Sequence, residues 1–315
     1  MLTEKANAIC LLEILKEYSD AEHILPMRDI LSKMQTIYGM KPDRRTVYSA
    51  LSLLNDMGYD ISLYEENGEG YFLRSRDLEQ SEVLLLTGAV YSFPFIPARQ
   101  TELLIQKLQK QLSVHQRKKY RHLTVARPNR KTDNRQIFWN IEQLDEAISR
   151  KKKVQLTYLH YGMDKKLHET KEHILSPYEM VYMNEHYYLV CVPEGKDAVQ
   201  LHRIDRMKDI RLLEESRSER ATVKQDTQDA VYAFAGAPER VKMYCNRAIL
   251  KDVFDRFGTD IQVYDRDEET FVASFTAPLR GVRFWALQYL QYVEVVEPAW
   301  LREEIIESIK KNRYL

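Results

Sequence analysis

The first sixty residues carry three apolar stripes at helical spacing. The first stripe lies within residues 9–15, the second begins after Pro26 and stops at Gly39, and the third follows Pro42. Apolar residues three and four positions apart share one face of an α-helix, and glycine commonly follows its last turn. Asp43 is of a type favoured for capping a helix N-terminus. The pattern therefore predicts three helices, the third starting at Asp43.

The segment after the third stripe changes from helical to alternating spacing. Residues 61–64 and 70–73 are short runs of β-forming type, and Asn67 and Gly68 lie between them. An Asn-Gly pair between two such runs favours a hairpin turn. Three helices followed by a hairpin predict a winged helix-turn-helix over residues 1–76.

The outward face of the third helix is the candidate DNA-reading surface. If Val47 and Leu51 are buried, the first turns and the opposite face present cationic and hydrogen-bonding side chains to solvent. The residues concerned are Lys41, Arg44, Arg45, Thr46, Tyr48, Ser49 and Ser52. A helix with such a surface fits the major groove, so a double-stranded DNA operator is the predicted partner.

The charge of this N-terminal segment leaves a second interpretation open. Residues 1–75 contain eight Lys or Arg and twelve Asp or Glu, so the segment is net acidic. Phosphate contacts normally dominate the affinity for DNA. The alternative is therefore a protein-interaction adaptor that uses the helix-turn-helix as a scaffold without sequence-specific DNA binding.

Two further helices are predicted between residues 77 and 136. Pro94 and Pro97 separate them, and each has an apolar face that needs a partner surface. Residues 99–135 hold eleven Lys or Arg against two acidic residues. The basic run at 117–135 is either a solvated face or a second phosphate-binding element. We expect this segment to connect the first module to the next.

Residues 137–215 predict a helix from Asn140 and then a compact antiparallel sheet. Strands are expected at 154–161, 167–175, 178–183, 186–192 and 198–203, with residues 214–228 as an exposed linker. The sheet concentrates aromatic and cationic side chains. They are Tyr178, Tyr182, Tyr187, Tyr188, His186, His202, Arg203 and Arg206.

Aromatic faces and guanidinium groups together can hold a base or a phosphate. The alternative is that the tyrosines are half-buried wall residues and that the arginines pair with Asp205 and Glu179. The last segment, residues 230–315, has the order βαββαβα, which predicts a ferredoxin-like sandwich. The fold class is therefore a multidomain α+β protein.

Overall composition restricts the possible functions. The 315 residues contain 47 basic and 47 acidic side chains, which argues against a protein that coats nucleic acid indiscriminately. No run approaches about 18 apolar residues, so no membrane partner is expected. Cys10, Cys191 and Cys245 lie far apart in apolar runs, as for buried thiols in a reducing cytoplasm. The start of the chain lacks the pattern of an export signal.

No catalytic pattern is present. The chain lacks Gly-x-Gly-x-x-Gly, Gly-Lys-Thr and Gly-x-Ser-x-Gly, and the histidines of residues 137–215 lack the spacing of metal ligands. Those histidines are His160, His168, His173, His186 and His202. We expect no enzyme activity, no catalytic residue, no cofactor and no metal.

Three groups of residues resemble a known family. Pro177, the triplet Tyr187-Tyr188-Leu189 and the segment 202–207 are similar to the WYL domain of bacterial transcriptional regulators. Tyr187 replaces the Trp of the family's triplet, and His202 replaces the aromatic residue that usually precedes Arg-x-Asp-Arg. The N-terminal segment resembles the DeoR-type helix-turn-helix, and residues 230–315 resemble the WYL C-terminal extension, the WCX domain.

The resemblance implies an Sm/SH3-like β-barrel that senses a ligand on its surface. It implies a site lined by Tyr158, Tyr178 and the arginines, to which the aromatic cluster adds Tyr187 and His202. The implied ligands are nucleotides or single-stranded nucleic acid, and the implied state is a homodimer. The predicted function is thus that of a ligand-responsive transcriptional regulator.

Overall fold

A computed structural model describes residues 6–118, 131–219 and 238–313. The chain divides into two compact units, Met1–Asp133 and Asn134–Leu315. The first unit contains seven helices within its described residues. They are α1 (Asn7–Tyr18), α2 (Met27–Tyr38), α3 (Arg44–Asp56), α4 (Tyr64–Asn67), α5 (Gln80–Ser92), α6 (Ala98–Gln109) and α7 (Val114–Lys118).

The three helices predicted at the N-terminus are confirmed. Gly39 follows α2 with a φ of 69°, in the left-handed region that glycine adopts without strain. The apolar stripes of α1, α2 and α3 meet in one core. Its fully buried members include Leu11, Leu15, Ile30, Met34, Val47 and Leu51. The burial of Val47 and Leu51 leaves the opposite face of α3 exposed, as the sequence predicts.

The predicted hairpin is wrong for the turn between its two strands. Isolated bridges pair Ile61 with Leu73 and Leu25 with Tyr71, but the intervening chain forms the short helix α4. The Asn67 side-chain oxygen accepts hydrogen bonds from the Glu69 and Gly70 amides at 2.7 and 2.8 Å. These local bonds satisfy the backbone that a two-residue turn would have paired.

The first unit also joins α1 and the following turn to the later helices through polar contacts. Asp20 accepts a hydrogen bond from the Ser113 hydroxyl at 2.5 Å and pairs with His23 at 2.7 Å. Arg117 pairs with Glu17. These contacts help to fix the N-terminal helices against the segment that follows α6.

The second unit begins with α8 (Ile137–Ser149), three residues earlier than predicted. The five strands after it are β1 (Lys152–Tyr161), β2 (Leu167–Met183), β3 (His186–Pro193), β4 (Gln200–Arg203) and β5 (Met207–Ser216). They form an antiparallel sheet in the order β4-β3-β2-β1-β5. The two strands predicted within residues 167–183 are one strand with a bulge after Pro177.

The sheet is open, so the closed barrel expected from the resemblance is wrong for the described strands. β4 has four residues, and a single 3₁₀ turn, Ile204–Arg206, leads from it into β5. β4 and β5 are therefore the two edges, and they are not paired. The linker predicted from residue 214 also begins too early, because β5 continues to Ser216.

The last described segment has the predicted order of elements. It consists of β6 (Glu239–Asn246), α9 (Leu250–Phe257), β7 (Gln262–Asp265), β8 (Thr270–Ala277), α10 (Leu279–Gln288), β9 (Val293–Glu297) and α11 (Ala299–Lys310). The strands form an antiparallel sheet in the order β7-β8-β6-β9. Trp285 and Phe271 are the largest side chains in its core.

Two predictions from composition can be compared with this structure. Cys10, Cys191 and Cys245 are free and buried, as expected. Burial raises the pKa of each thiol, so each is protonated at neutral pH. Among the described helices, none has both the length and the apolar content to cross a bilayer.

Candidate functional site

The N-terminus of α3 presents cations to solvent. Asp43 accepts a hydrogen bond from the Thr46 amide at 2.7 Å, and this bond holds the pKa of Asp43 below its usual value. The cap fixes Arg44 and Arg45 in the first turn, and Lys41 lies just before it. All three cations are exposed, and within the described chain none forms a salt bridge. They are therefore available to bind phosphate.

The remaining candidates on α3 differ in their exposure. Ser49 and Ser52 are exposed, while Thr46 is partly buried. Tyr48 is 49% exposed and contacts the buried Tyr71 ring edge-on, with 6.5 Å between ring centroids. Burial raises the pKa of Tyr71 to about 12. Tyr48 is thus fixed against the segment that follows α4.

The acidic residues near α4 are partly neutralised. Arg74 forms salt bridges with Glu66 and, at 3.2 Å, with Asp60. These pairs lie at the surface and contribute little to stability. They nevertheless remove unpaired negative charge that would repel DNA phosphate. The net acidic count of residues 1–75 already includes Arg74, so these pairs leave that count unchanged.

In the second unit, Arg203 is held by its own chain. Its Nε and Nη2 atoms donate to the Asp205 carboxylate at 2.9 and 2.6 Å. Asp205 is 5% exposed and the Arg203 side chain 21%. The Arg203 amide donates to the Tyr158 hydroxyl at 3.1 Å, and burial raises the pKa of that phenol. Arg203, Asp205 and Tyr158 therefore form one fixed group.

Arg206 is the less satisfied arginine. Its Nε is buried and lacks a hydrogen-bond partner among the described residues. Its guanidinium carbon lies 5.8 Å from the centre of the Tyr161 ring. A buried donor without a partner costs free energy, and such groups in native proteins require an explanation. An anion bound at Arg206 would supply the missing acceptor.

His186 and Tyr188 join this group, although only Tyr187 of the triplet was assigned to the site from the sequence. Tyr188 lies opposite Arg203 across β3 and β4, and the His186 and Tyr188 rings are 6.4 Å apart. Burial and then the charge of Arg203 lower the pKa of His186. Successive side chains of a strand point to opposite faces, so the alternation along β3 already separates Tyr188 from Tyr187.

The other candidates lie in different surroundings. Tyr178 donates to the Ser218 carbonyl at 2.9 Å, beyond the C-terminal end of β5, and its ring contacts Arg217. Tyr158 instead pairs with Met207 at the start of β5. Tyr187 contacts Tyr182, with ring centroids 5.2 Å apart. These positions do not bring Tyr178 or Tyr187 into contact with the group formed by Tyr158, Arg203 and Asp205, called the Tyr158 group below.

His202 contacts Tyr158 from β4. The two ring centroids are 5.1 Å apart, and the His202 Nε2 lies 3.1 Å from the Gln200 side-chain oxygen. Burial, aided by His173, lowers the pKa of His202 to about 4, so the ring is neutral at pH 7. In the described ranges, no cluster of His, Cys, Asp and Glu has the arrangement of a metal site.

Comparisons with known proteins define the domains that contain these residues. The WYL domain family matches residues 140–212, and the WCX domain family matches residues 237–311. The chain therefore contains a WYL domain followed by a WCX domain. Arg203, Asp205 and Arg206 all lie in the WYL domain. No curated protein matches the sequence.

Solved structures give only distant similarity. Proteasome accessory factor B/C (PafBC) of Arthrobacter aurescens is 14% identical, with 96% of this chain covered and a TM-score of 0.28. The chain spans 47% of the PafBC length. A CRISPR Cas-related protein is 15% identical over 98% of this chain and 90% of its own, with a TM-score of 0.38. At these values, neither similarity informs the function.

Proposed function

We propose that this chain is a ligand-responsive transcriptional regulator without enzymatic activity. Its three N-terminal helices and the adjoining bridged segment act as a winged helix-turn-helix that binds double-stranded DNA. Its WYL domain binds an anionic ligand, a nucleotide or single-stranded nucleic acid. The observation that carries the proposal is the set of unpaired, exposed cations at the capped N-terminus of α3.

The geometry of α3 supports DNA binding. Lys41, Arg44 and Arg45 cluster at one end of a helix whose opposite stripe is buried in the core. Helix-turn-helix proteins place the N-terminal residues of their recognition helix against base edges. Ser49 and Ser52 continue the polar face along the helix. A homodimer would present two such helices to paired half-sites and double the number of cations.

The WYL domain supports binding of an anion. Arg206 has an unsatisfied buried donor, and its charge acts on both Tyr158 and Tyr188. Guanidinium binds phosphate with two parallel hydrogen bonds, and tyrosine rings can stack on bases. Because Asp205 already holds Arg203, we assign ligand contact to Arg206 and positioning of the turn to Arg203.

A mobility-shift assay with the DNA upstream of the chain's own gene tests the first part. Wild-type protein should shift this fragment, and its binding constant should fall steeply with salt. The double variant Arg44→Ala, Arg45→Ala should lose the shift at moderate salt. The matched control is Arg28→Ala, which removes an exposed arginine from α2 and should retain binding. Retention of the shift by the double variant would favour the adaptor function.

Thermal unfolding with and without ligand tests the second part. Short single-stranded DNA or nucleotides should raise the melting temperature of wild-type protein, because a ligand that binds only the folded state stabilises it. Arg206→Ala should abolish the increase, whereas Arg211→Ala, an exposed arginine on β5, should keep it. An equal response in both variants would reject Arg206 as the ligand contact.

A further inference from the structure

A second cavity lies within the first unit, apart from both surfaces described above. It has a volume of about 200 Å³ and is lined by residues from α1, from the segment after α3, from residues 73–77 and from the two residues that follow α6. Its charged lining residues are Lys16, Arg76, Lys110 and Asp77. Three of these residues are cations and one is a carboxylate, whereas residues 1–75 as a whole are net acidic.

Arg76 is preorganised in this cavity. Its Nη2 donates to the Ser19 carbonyl at 2.7 Å, and its Nη1 donates to the Gln111 carbonyl at 3.2 Å. Neither acceptor is ionised, and within the described ranges Arg76 forms no salt bridge with a carboxylate. Burial lowers the pKa of Arg76, while the charges of Asp20, Glu17 and Glu79 act in the opposite direction and that of Arg117 in the same one. The guanidinium is thus a half-buried cation whose described hydrogen bonds go to neutral carbonyl oxygens.

The two lysines approach from different elements. Lys16 belongs to α1; its nearest carboxylate is Glu13 at 4.0 Å, and its Nζ lies 5.8 Å from the Tyr59 ring centre. Lys110 directly follows α6 and forms no salt bridge within the described chain. An anion bound in this cavity would interact favourably with the charges of both lysines and of Arg76.

We propose that this cavity binds a small organic phosphate. A phosphate dianion matches a cavity lined by three cations better than a single carboxylate does, and Arg76 can bind it with its remaining donors. Tyr59 and Leu73 line the same cavity and provide an apolar wall for a short carbon skeleton. Cavities for larger ligands have volumes of roughly 300–1,000 Å³, so the size indicates a sugar phosphate rather than a dinucleotide.

Such a ligand would connect the DNA-reading helices to the helices that follow them. Lys16 lies on α1, which packs directly against α3, whereas Lys110 lies at the end of α6. A phosphate held by both would bind only when α1 and α6 have this spacing. This site is separate from the WYL domain, so its ligand would be a second input to the same protein.

The test is thermal unfolding of the full-length protein at constant ionic strength with three probes: inorganic phosphate, ribose 5-phosphate and chloride. We expect a saturable increase in melting temperature with ribose 5-phosphate, a smaller one with phosphate and none with chloride. Lys16→Gln and Lys110→Gln should each reduce the apparent affinity at least about tenfold, a loss comparable to that of one charged hydrogen bond. Lys107→Gln removes an exposed charge from α6, one turn before Lys110, and should leave the affinity unchanged.

Other results would overturn the proposal. Equal losses in Lys107→Gln and Lys110→Gln would show a general charge effect, and no response to either phosphate would show that the cavity binds no phosphate. Weaker DNA binding by Lys110→Gln without any change in the response to ribose 5-phosphate would assign the lysine to DNA instead. Arg206→Ala should keep the response to ribose 5-phosphate, which separates this site from the WYL ligand site.

Discussion

The cations at the start of α3 and the arginines beside Tyr158 differ in what surrounds them. Arg44 and Arg45 are exposed and unpaired within the described residues, whereas Arg203 is largely enclosed and held by Asp205. Exposed ionic contacts are individually weak and are screened by salt. The α3 surface can therefore bind tightly only by adding many contacts along a polyanion. In the WYL domain the lower local dielectric makes a single contact stronger.

The same difference determines what each region contributes to folding. Removing an exposed cation from α3 leaves no buried group without its partner, so it should alter binding more than stability. Removing a member of the Tyr158 group leaves a buried charge or donor unsatisfied. The first region can thus be changed freely for binding experiments, whereas the second requires variants that preserve the fold.

The largest effect should come from Asp205→Ala. The change leaves Arg203 half-buried without its carboxylate, and breaking a buried ion pair in this way costs about 3 kcal/mol. Urea unfolding should show this loss as a lower midpoint with an unchanged slope. Asp197→Ala, an exposed position before β4, is the control and should stay close to wild type.

A double variant sharpens this result. Arg203→Leu, Asp205→Ala removes both charges, so it should recover part of the stability lost in Asp205→Ala alone. If the loss of stability in the double variant equals the sum of the losses in the two single variants, the two side chains make no coupled contribution to stability. Arg203 would then not depend on Asp205 for its position.

The next effect is the pH dependence of the second unit. The pKa of His202 is lowered to about 4 by burial, compared with about 6.5 in an unfolded chain. Between these values the unfolded state binds more protons than the folded state. The contribution of His202 to the free energy of unfolding is therefore fully present above pH 6.5 and is lost as the pH decreases towards 4. Between pH 7.5 and pH 4.5 the free energy of unfolding should fall by about 2.5 kcal/mol because of this ring.

His202→Gln tests this expectation, because it retains a polar side chain that does not titrate. Its stability should decline less than that of wild type between pH 7.5 and 4.5, as measured by urea unfolding at each pH. Superimposable curves for His202→Gln and wild type would contradict the assigned burial.

The parts of the structure that could be predicted from sequence are those fixed by local interactions. Asp43 caps α3 and Gly39 ends α2, and both signals act within one helical turn. Local patterns do not reveal β5, because its pairing with β1 joins residues 49 to 64 positions apart. Asn67 was misassigned because its side chain competes for the backbone bonds that a hairpin would use.

The WYL site was predicted only in part for a similar reason. Residue types identified the cluster, but the choice between Tyr187 and Tyr188 depends on which face of β3 meets Arg203. The alternative that an arginine pairs with Asp205 is realised for Arg203 and not for Arg206. The difference arises at the single 3₁₀ turn between β4 and β5. Arg203 precedes this turn and Arg206 ends it, so the two side chains have different neighbours.

The smallest effect should come from the cap of α3. Asp43→Ala removes the acceptor of the Thr46 amide and should lower the melting temperature by a few degrees at neutral pH. Asp43→Asn keeps an oxygen that can cap the helix, so it should restore stability although the charge is lost.

The pH dependence of these variants separates the cap from the charge. The pKa of Asp43 is lowered in the folded protein, so its contribution is present above the unfolded value and disappears as the pH falls through the folded one. The Asn cap does not titrate and should retain its contribution in acid. If Asn is as destabilising as Ala at neutral pH, the carboxylate acts through its charge on the helix N-terminus rather than through the hydrogen bond. In that case removing Asp43 would also strengthen the positive potential around Arg44 and Arg45, and DNA binding by the Asn variant should tighten at low salt while its stability falls.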